Sequence, residues 1–406
     1  MRPKLTRSAF VGIAIALIAA VVYWLSGRDF DAGRGDFFYL ADAFLHGRTW
    51  LEFRPGPYDV IQVGLRFYVP FAPFPAIALM PLVAITGAVT ADHLESGIDA
   101  LLAAIAVWLC WVLLGRLGIV RLRDRLWLVV LFAFSTPLWW VTLRGGVWHT
   151  GQIIATILTL GCLVELWGRR RPFLVGALGG AAFLTRAPLA FAVPFYLLLV
   201  DPWLAEERPL ERGVPAPIRS WPLRRWALLA AGVLPSIAFF FWYNAVRFGS
   251  PLESGYGLAA LPPWLEAERQ LGLFSLAHLP MNFDYLFLHL PKVIPDPPFL
   301  KPDGLGLSVF LTSPALAVAA FADWRSARAR LLLGAAVAVL IPTLLYYGGG
   351  WLQYGYRYLL DSVPFLIVLA GLAVARAGRL SWRWKAAILF GVVVNAGGAY
   401  WVGRFS

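Results

Sequence analysis

Residues 173–200, FLVGALGGAAFLTRAPLAFAVPFYLLLV, carry a single charged side chain, Arg186, in a run longer than one bilayer crossing requires. Arg169–Arg171 precede the run and the basic segment Arg208–Arg225 follows it. Lys and Arg are retained on the cytoplasmic face of a membrane, so a stretch that begins and ends beside such clusters returns to the side it left. It therefore reads as a re-entrant hairpin of two short helices. The interruption is Thr185–Pro188, because proline and the residue before it disfavour helix continuation.

The rest of the chain agrees with a membrane solvent. Of 406 residues, 60% are hydrophobic and only 14% are charged, and the mean hydropathy is +0.69. Soluble domains carry about a quarter charged residues, so lipid-facing surface has replaced charge. Apolar runs at 9–26, 99–115, 126–142, 150–167, 226–245, 331–347, 360–375 and 386–402 reach or approach the length of a span. The fold class is an all-α polytopic membrane protein. A disulfide scaffold, a disordered tail and a nucleic-acid-binding domain are excluded, and the net charge of +12 reports topology instead. Cys110 and Cys162 both lie inside apolar runs, without metal or redox spacing.

Six basic clusters fix the orientation. They are the N-terminal Arg2, Lys4 and Arg7, then 116–125, 169–171, 208–225, 325–330 and 376–385. With all six inside, the cytoplasmic face holds 22 Lys/Arg against 6 Asp/Glu, and the outer face 12 against 16. The N-terminus is then cytoplasmic and its first run an uncleaved anchor, since Tyr23 and Trp24 stand where a signal peptide wants small residues. The stretch 71–89 cannot be a full span, or the acidic loop 90–99 would face inward. It reads as a proline-broken helix at the outer leaflet. Counting the hairpin as two gives about eleven membrane segments. The division is a membrane module over 1–245, an extracytoplasmic loop over 246–304, and C-terminal transmembrane segments over 305–406. The first outer loop is 27–98, and shorter ones lie at 144–152 and 348–358. All five histidines fall on this face, which locates the chemistry outside the cytoplasmic membrane of a prokaryote.

In the first outer loop, GRGDFFYLADAFLHGR (33–48) places Phe37, Leu40, Ala41, Phe44 and Leu45 on one helical stripe, with Tyr39, Asp42 and His46 opposite. Such a helix lies in the interfacial plane. Asp36 stands at its start, as a helix cap or as a functional acid. A proline-rich second helix, YVPFAPFPAIALMPL (68–82), follows. This order of parts resembles the GT-C superfamily of membrane glycosyltransferases, in particular the protein-mannosyltransferase and aminoarabinose-transferase-like branch. The resemblance covers the first 200 residues, including GALGGAAFLTRAP (176–188), and extends loosely to NAVRFGSPLESGYG (244–257) and GGGWLQYGYRYLLDSVPF (348–365).

The resemblance implies an inverting transfer of a sugar from a polyprenyl-phosphate carrier to an acceptor, which is a glycan, lipid or protein. Such a reaction needs a base for the acceptor hydroxyl and cations against the departing phosphate. The family pattern puts the base at Asp36. Many relatives carry a second acid in the next outer loop, but RGGVWHTGQ (144–152) has none, and His149 is the compensating candidate. The phosphate candidates are Arg357, beside three glycines that permit close backbone approach, then Arg247 and Lys301. Asp42, His46, Tyr356 and Arg186 are further substrate-binding candidates, Arg186 because an ionisable group within an apolar run is functional by default. No residue cluster has metal-ligand spacing, so no metal or other cofactor is expected. The rival reading is a lipid or lipid-linked-sugar flippase without transferase activity. Transporters often carry paired repeats with interrupted helices in both halves, and the sequence has one broken hairpin.

Overall fold

The computed structural model describes residues 7–28, 30, 35–55, 60–201, 223–297, 299–350 and 352–404. The basic residues Arg2 and Lys4 and those at 208–219 lie outside the described residues, as does Trp351. Among the described residues five helices are long and apolar enough to cross a bilayer: α1 (Ser8–Gly27 of Arg7–Gly27), and four others introduced below. A bent pair makes a sixth, and four further apolar helices are shorter. Eleven apolar segments thus yield fewer full-length spans, because prolines and turns shorten several of them.

After α1 come α2 (Asp36–Leu45), α3 (Phe74–Thr86) and α4 (Ala88–His93). These three pack on one another around a small core of Phe38, Leu40, Ala76, Leu79 and Val147. At 1.5 Å per residue the 13 residues of α3 reach about 20 Å, too short for a crossing. The helix continues through Pro81, and the break comes at Gly87, whose φ is 77°. Between α2 and α3 a hairpin pairs Ile61–Val63 with Arg66–Tyr68 across Gly64, at φ 62°.

The spans α5 (Glu95–Arg116) and α8 (Val147–Leu166) form the centre, with α1 against α5. Between them the run expected as one span, 126–142, is α6 (Leu122–Phe134) and α7 (Leu138–Arg144), bent by 42°. Pro137 lacks an N–H, and Thr136 turns its hydroxyl back to the Phe132 carbonyl at 2.6 Å. The segment 144–152, expected as a loop, is helical from Val147 onward: Gly145 and Gly146 make the turn at φ 64° and 83°.

The break expected at Thr185–Pro188 is present, between two short helices. Helix α9 (Pro172–Phe183) ends beside Thr185, Arg186 is extended, and a 3-10 turn (Ala187–Ala192) leads into α10 (Val193–Leu199). Helix α11 (Leu223–Phe248) crosses α9 at backbone distance. A side chain at Gly176 would meet the Leu229 carbonyl, and one at Gly180 would lie 2.6 Å from Ser236 Oγ. This is the small-residue contact by which helices associate in lipid. The helices α12 (Pro263–Gln270), α13 (Leu279–Phe283) and α14 (Val309–Thr312) are short, and three longer ones close the bundle: α15 (Ala327–Leu344), α16 (Val363–Ala377) and α17 (Trp382–Trp401).

Polar contacts gather the basic segments at one end. Arg116 reaches the Val164 carbonyl, Arg171 pairs with Glu165 at 2.9 Å, Lys385 with Asp124 at 3.5 Å and Arg376 with Asp323 at 3.2 Å. The opposite end carries α2–α4, the starts of α5 and α8, and the described residues of 246–297, 299–309, 345–350 and 352–358.

Candidate functional site

At that opposite end lies a cavity of about 360 Å³. The start of α8, the break after α9, the end of α11, Gly348–Gly350 and Arg357–Tyr358 contribute to its walls. Aromatic rings dominate the lining, among them Phe71, Trp148, Tyr256, Tyr346 and Tyr358, and its cations are Arg186, Arg247 and Arg357. None of the described lining residues is acidic.

Arg357 begins a 3-10 turn, Arg357–Asp361, that also supplies Tyr358 and Asp361. Two glutamines pin its backbone: Gln353 Oε1 accepts from the Arg357 amide at 3.0 Å, and Gln152 Nε2 donates to the Arg357 carbonyl at 3.0 Å. The side chain is less well provided. Its guanidinium lies over the Trp148 ring (5.4 Å) and the Tyr358 ring (5.1 Å), and Nη2 meets the Tyr358 hydroxyl at 3.4 Å. Nε and Nη1 are buried and have no hydrogen-bond partner among the described residues. Leaving buried donors of a cation unsatisfied costs more than the roughly 1–3 kcal/mol of a neutral group.

Arg186 occupies the tip of the hairpin and donates through Nε to both oxygens of Asp361, each at 2.8 Å. The Asp361 side chain is fully buried, while Arg186 keeps some exposure and faces Tyr358 at 5.3 Å. One phenol ring therefore touches two guanidiniums, and one carboxylate answers one of them. Arg247 is used structurally. It donates to the carbonyls of Val69 (2.8 Å) and Tyr243 (3.2 Å) and to Asn244 Oδ1 (2.9 Å), tying α11 to the first outer loop. No carboxylate is among those three acceptors, so its charge adds to a positive cavity wall.

The other expected residues are dispersed. Asp36 is buried in the first turn of α2, with Gly35 as the cap residue, and its neighbour Phe37 lines the cavity. Asp92 of α4 brackets it, accepting from the Gly35 amide and the Tyr39 hydroxyl, each at 2.9 Å. Burial, then the hydrogen bond to Asp92 and its charge, push the Tyr39 phenol up to about 12, so it remains a donor near neutral pH. His149 is fully buried beneath the cavity and not among its lining residues; Nδ1 lies 2.7 Å from the Gly145 carbonyl and Nε2 has no partner among the described residues. Asp42 and His46 form a solvated i, i+4 pair at 3.6 Å, away from the cavity. Helix α2 buries Phe38 and Ala43 as well as Phe37, Leu40 and Ala41 of the expected stripe, while Phe44 is half-buried and Leu45 is exposed. Tyr356 is structural, donating to the Thr343 carbonyl at 3.1 Å. Lys301 is exposed in a two-residue strand opposite Lys292, outside the cavity lining.

Two buried acids escaped the sequence reading. Glu95 and Asp99, one turn apart on α5, flank the Thr150 hydroxyl of α8 at 3.2 and 3.0 Å. The signal was an i, i+4 acid pair opening an apolar run, which served only as a topology marker. An acid thus faces the 144–152 segment, from α5 and not from that segment itself. Among the described residues no group of three His, Cys, Asp or Glu could hold a metal ion.

No protein-family model and no curated protein matches the sequence. Similar solved structures include two of oligosaccharyltransferase from Archaeoglobus fulgidus. One is the archaeal AglB in complex with an inhibitory peptide and a dolichol-phosphate, at 14% identity and a TM-score of 0.47. The other is tethered with an acceptor peptide through a disulfide, at 15% identity and a TM-score of 0.46. Both matches cover 97% of this chain and 55% of the other, so the chain spans about half the length of the proteins it matches. A likeness of this depth concerns the course of the backbone, and the cavity's chemistry rests on its own side chains.

Proposed function

We propose that the protein is an inverting glycosyltransferase that takes a sugar from a polyprenyl-phosphate carrier at the extracytoplasmic face of the membrane. The observation that carries this reading is Arg357: a buried guanidinium with two unpartnered donors, in an aromatic cavity with two further arginines and no acidic lining among the described residues. A phosphate oxygen supplies the acceptors that Nε and Nη1 lack, and a guanidinium meets it through parallel hydrogen bonds. The rings around it suit a sugar face and a prenyl chain.

In this reading Asp36 takes the proton of the acceptor hydroxyl. The acceptor oxygen bonds to the anomeric carbon as the bond to the phosphate oxygen breaks, and the lipid phosphate leaves with the electron pair. Charge develops on that phosphate as it departs, so cations fixed beforehand favour the transition state over the bound donor. Arg357 and Arg186 supply them, Arg186 held by Asp361. Asp92 is a positioning residue, gripping the backbone on one side of Asp36 and the Tyr39 hydroxyl on the other.

Native mass spectrometry of the purified protein with undecaprenyl phosphate tests the phosphate site. Replacing Arg357 by Met removes two charge-assisted hydrogen bonds, each about 1.5–3 kcal/mol, and weakens binding by at least tenfold. Arg357→Lys restores the charge without the fork and recovers only part of the affinity. Equal binding by all three proteins would refute the assignment.

A further inference from the structure

We propose that residues 276–290, inside the segment read from sequence as an extracytoplasmic loop, are immersed at the edge of one lipid leaflet and form the wall between the cavity and the acyl chains. The inference does not depend on the transferase reading. Three helical pieces follow without a gap: a 3-10 turn at Leu276–His278, α13, and a π turn at Asp284–Leu288. Their polarity is inverted relative to a helix lying on water.

Facing inward are His278, Asn282 and Leu286, four residues apart and essentially unexposed. The two polar members are satisfied within the protein: His278 Nε2 lies 2.8 Å from the Gly272 carbonyl and Nδ1 3.3 Å from Glu268 Oε2, and Asn282 Nδ2 donates to the carbonyls of Tyr346 (2.9 Å) and Leu344 (3.1 Å). Facing outward, the residues from 276 to 290 that are exposed as a whole are all apolar, and the one polar side chain with comparable exposure is Asp284 (44%), which is bonded to His289. The large ones are Leu276 (76% exposed), Leu279 (37%), Phe283 (45%), Leu288 (59%) and Leu290 (63%). Polar groups inside and apolar groups outside are what a hydrocarbon solvent selects.

The depth of the segment follows from its anchor. Asn282 bonds to the last residue of α15, a helix with the length and composition of a span. That helix presents an apolar outward stripe of its own, Leu333, Val337 and Ile341, spaced by four and exposed. The outward face of 276–290 therefore continues a lipid-facing belt. On the inner side Met281 and Tyr285 line the cavity, so the wall is one helix thick. The Asp284–His289–Asp303 cluster marks its headgroup edge, with His289 between carboxylates at 2.7 and 3.0 Å. The occupant of the outer face is the bilayer itself, not a protein partner.

The test uses the full chain in lipid nanodiscs, with Cys110 and Cys162 replaced by Ala. Single cysteines at Leu276, Phe283 and Leu288 are spin-labelled, and collision rates with oxygen and with a water-soluble nickel chelate are measured. Ile341→Cys is the lipid reference and Glu52→Cys, ion-paired to Arg48 and 67% exposed, the aqueous one. The proposal expects oxygen to exceed the nickel chelate severalfold at all three positions, as at Ile341. A ratio like that of Glu52 would overturn it in favour of a solvated loop. Low access by both reagents would overturn it in favour of a protein partner or a second copy.

Discussion

Removing Asp361 leaves Arg186 as an uncompensated cation at the tip of the hairpin. Its side chain has no exposure, and both of its oxygens sit 2.8 Å from Arg186 Nε. Breaking such a pair from one side destabilises by roughly 3–5 kcal/mol, whereas replacing both partners with apolar residues is often neutral. Arg186 retains 16% side-chain exposure through the cavity, which lets water compensate part of the charge. Asp361→Leu should therefore cost about 3 kcal/mol, the low end of that range. Arg186→Met/Asp361→Leu should come within about 1 kcal/mol of the parent, a coupling of several kcal/mol in the double-mutant cycle. Reversible unfolding in mixed micelles, titrated with a denaturing detergent, measures all four proteins on one scale. Additive single effects would refute the reasoning, since they would mean that the two side chains do not depend on each other. The double variant should also lose affinity for lipid phosphate despite its stability, which separates the structural role from the binding one.

Other outcomes follow from single contacts. Thr150→Val removes the hydroxyl between Glu95 and Asp99 and should destabilise by about 1–3 kcal/mol, read in the same titration; an unchanged midpoint would show that the acids are satisfied otherwise. Gly176→Val drives a side chain into the Leu229 carbonyl, so α9 and α11 should separate and a disulfide engineered across them should fail to form. For His289, burial alone would lower the imidazole, but hydrogen bonds to Asp284 and Asp303 and their charges outweigh it and raise it above 6.5. A raised value means that the clamp is fully present below pH 6.5 and is lost as pH rises through the higher value of the folded protein. Hydrogen exchange corrected for intrinsic rate should show protection of 284–308 falling from pH 6.5 upward, and His289→Gln should flatten that profile. Protection that falls on acidification would contradict the sign.

The sequence was most readable where one local rule dominated. Proline and its predecessor broke the hairpin near Thr185, and the short reach of 71–89 followed from the charges around it. The Gly-rich 348–358 segment marks Arg357, which lies in the cavity wall. What escaped notice was set by tertiary packing. Asp42 and His46 looked like one face of an amphipathic helix, but α2 is enclosed on several sides and leaves them on the solvated one. His149 and Gln152 belong to a helix that starts earlier than expected, because two glycines complete the turn before Val147. Glu95 and Asp99 meet Thr150 across more than fifty positions, a pairing that no local spacing announces. Asp361 looked like one more residue at the start of a span until Arg186, 175 positions away, closed on it.

Turnover tests the central claim most directly. Purified protein would be supplied with a panel of polyprenyl-phosphate sugars and a native membrane extract as acceptor, and release of polyprenyl phosphate followed by mass spectrometry. The account predicts sugar-selective release by the wild type, lost in Asp36→Asn and strongly reduced in Arg357→Met. No release with any donor, from protein that still binds the carrier lipid, would contradict it and favour a flippase.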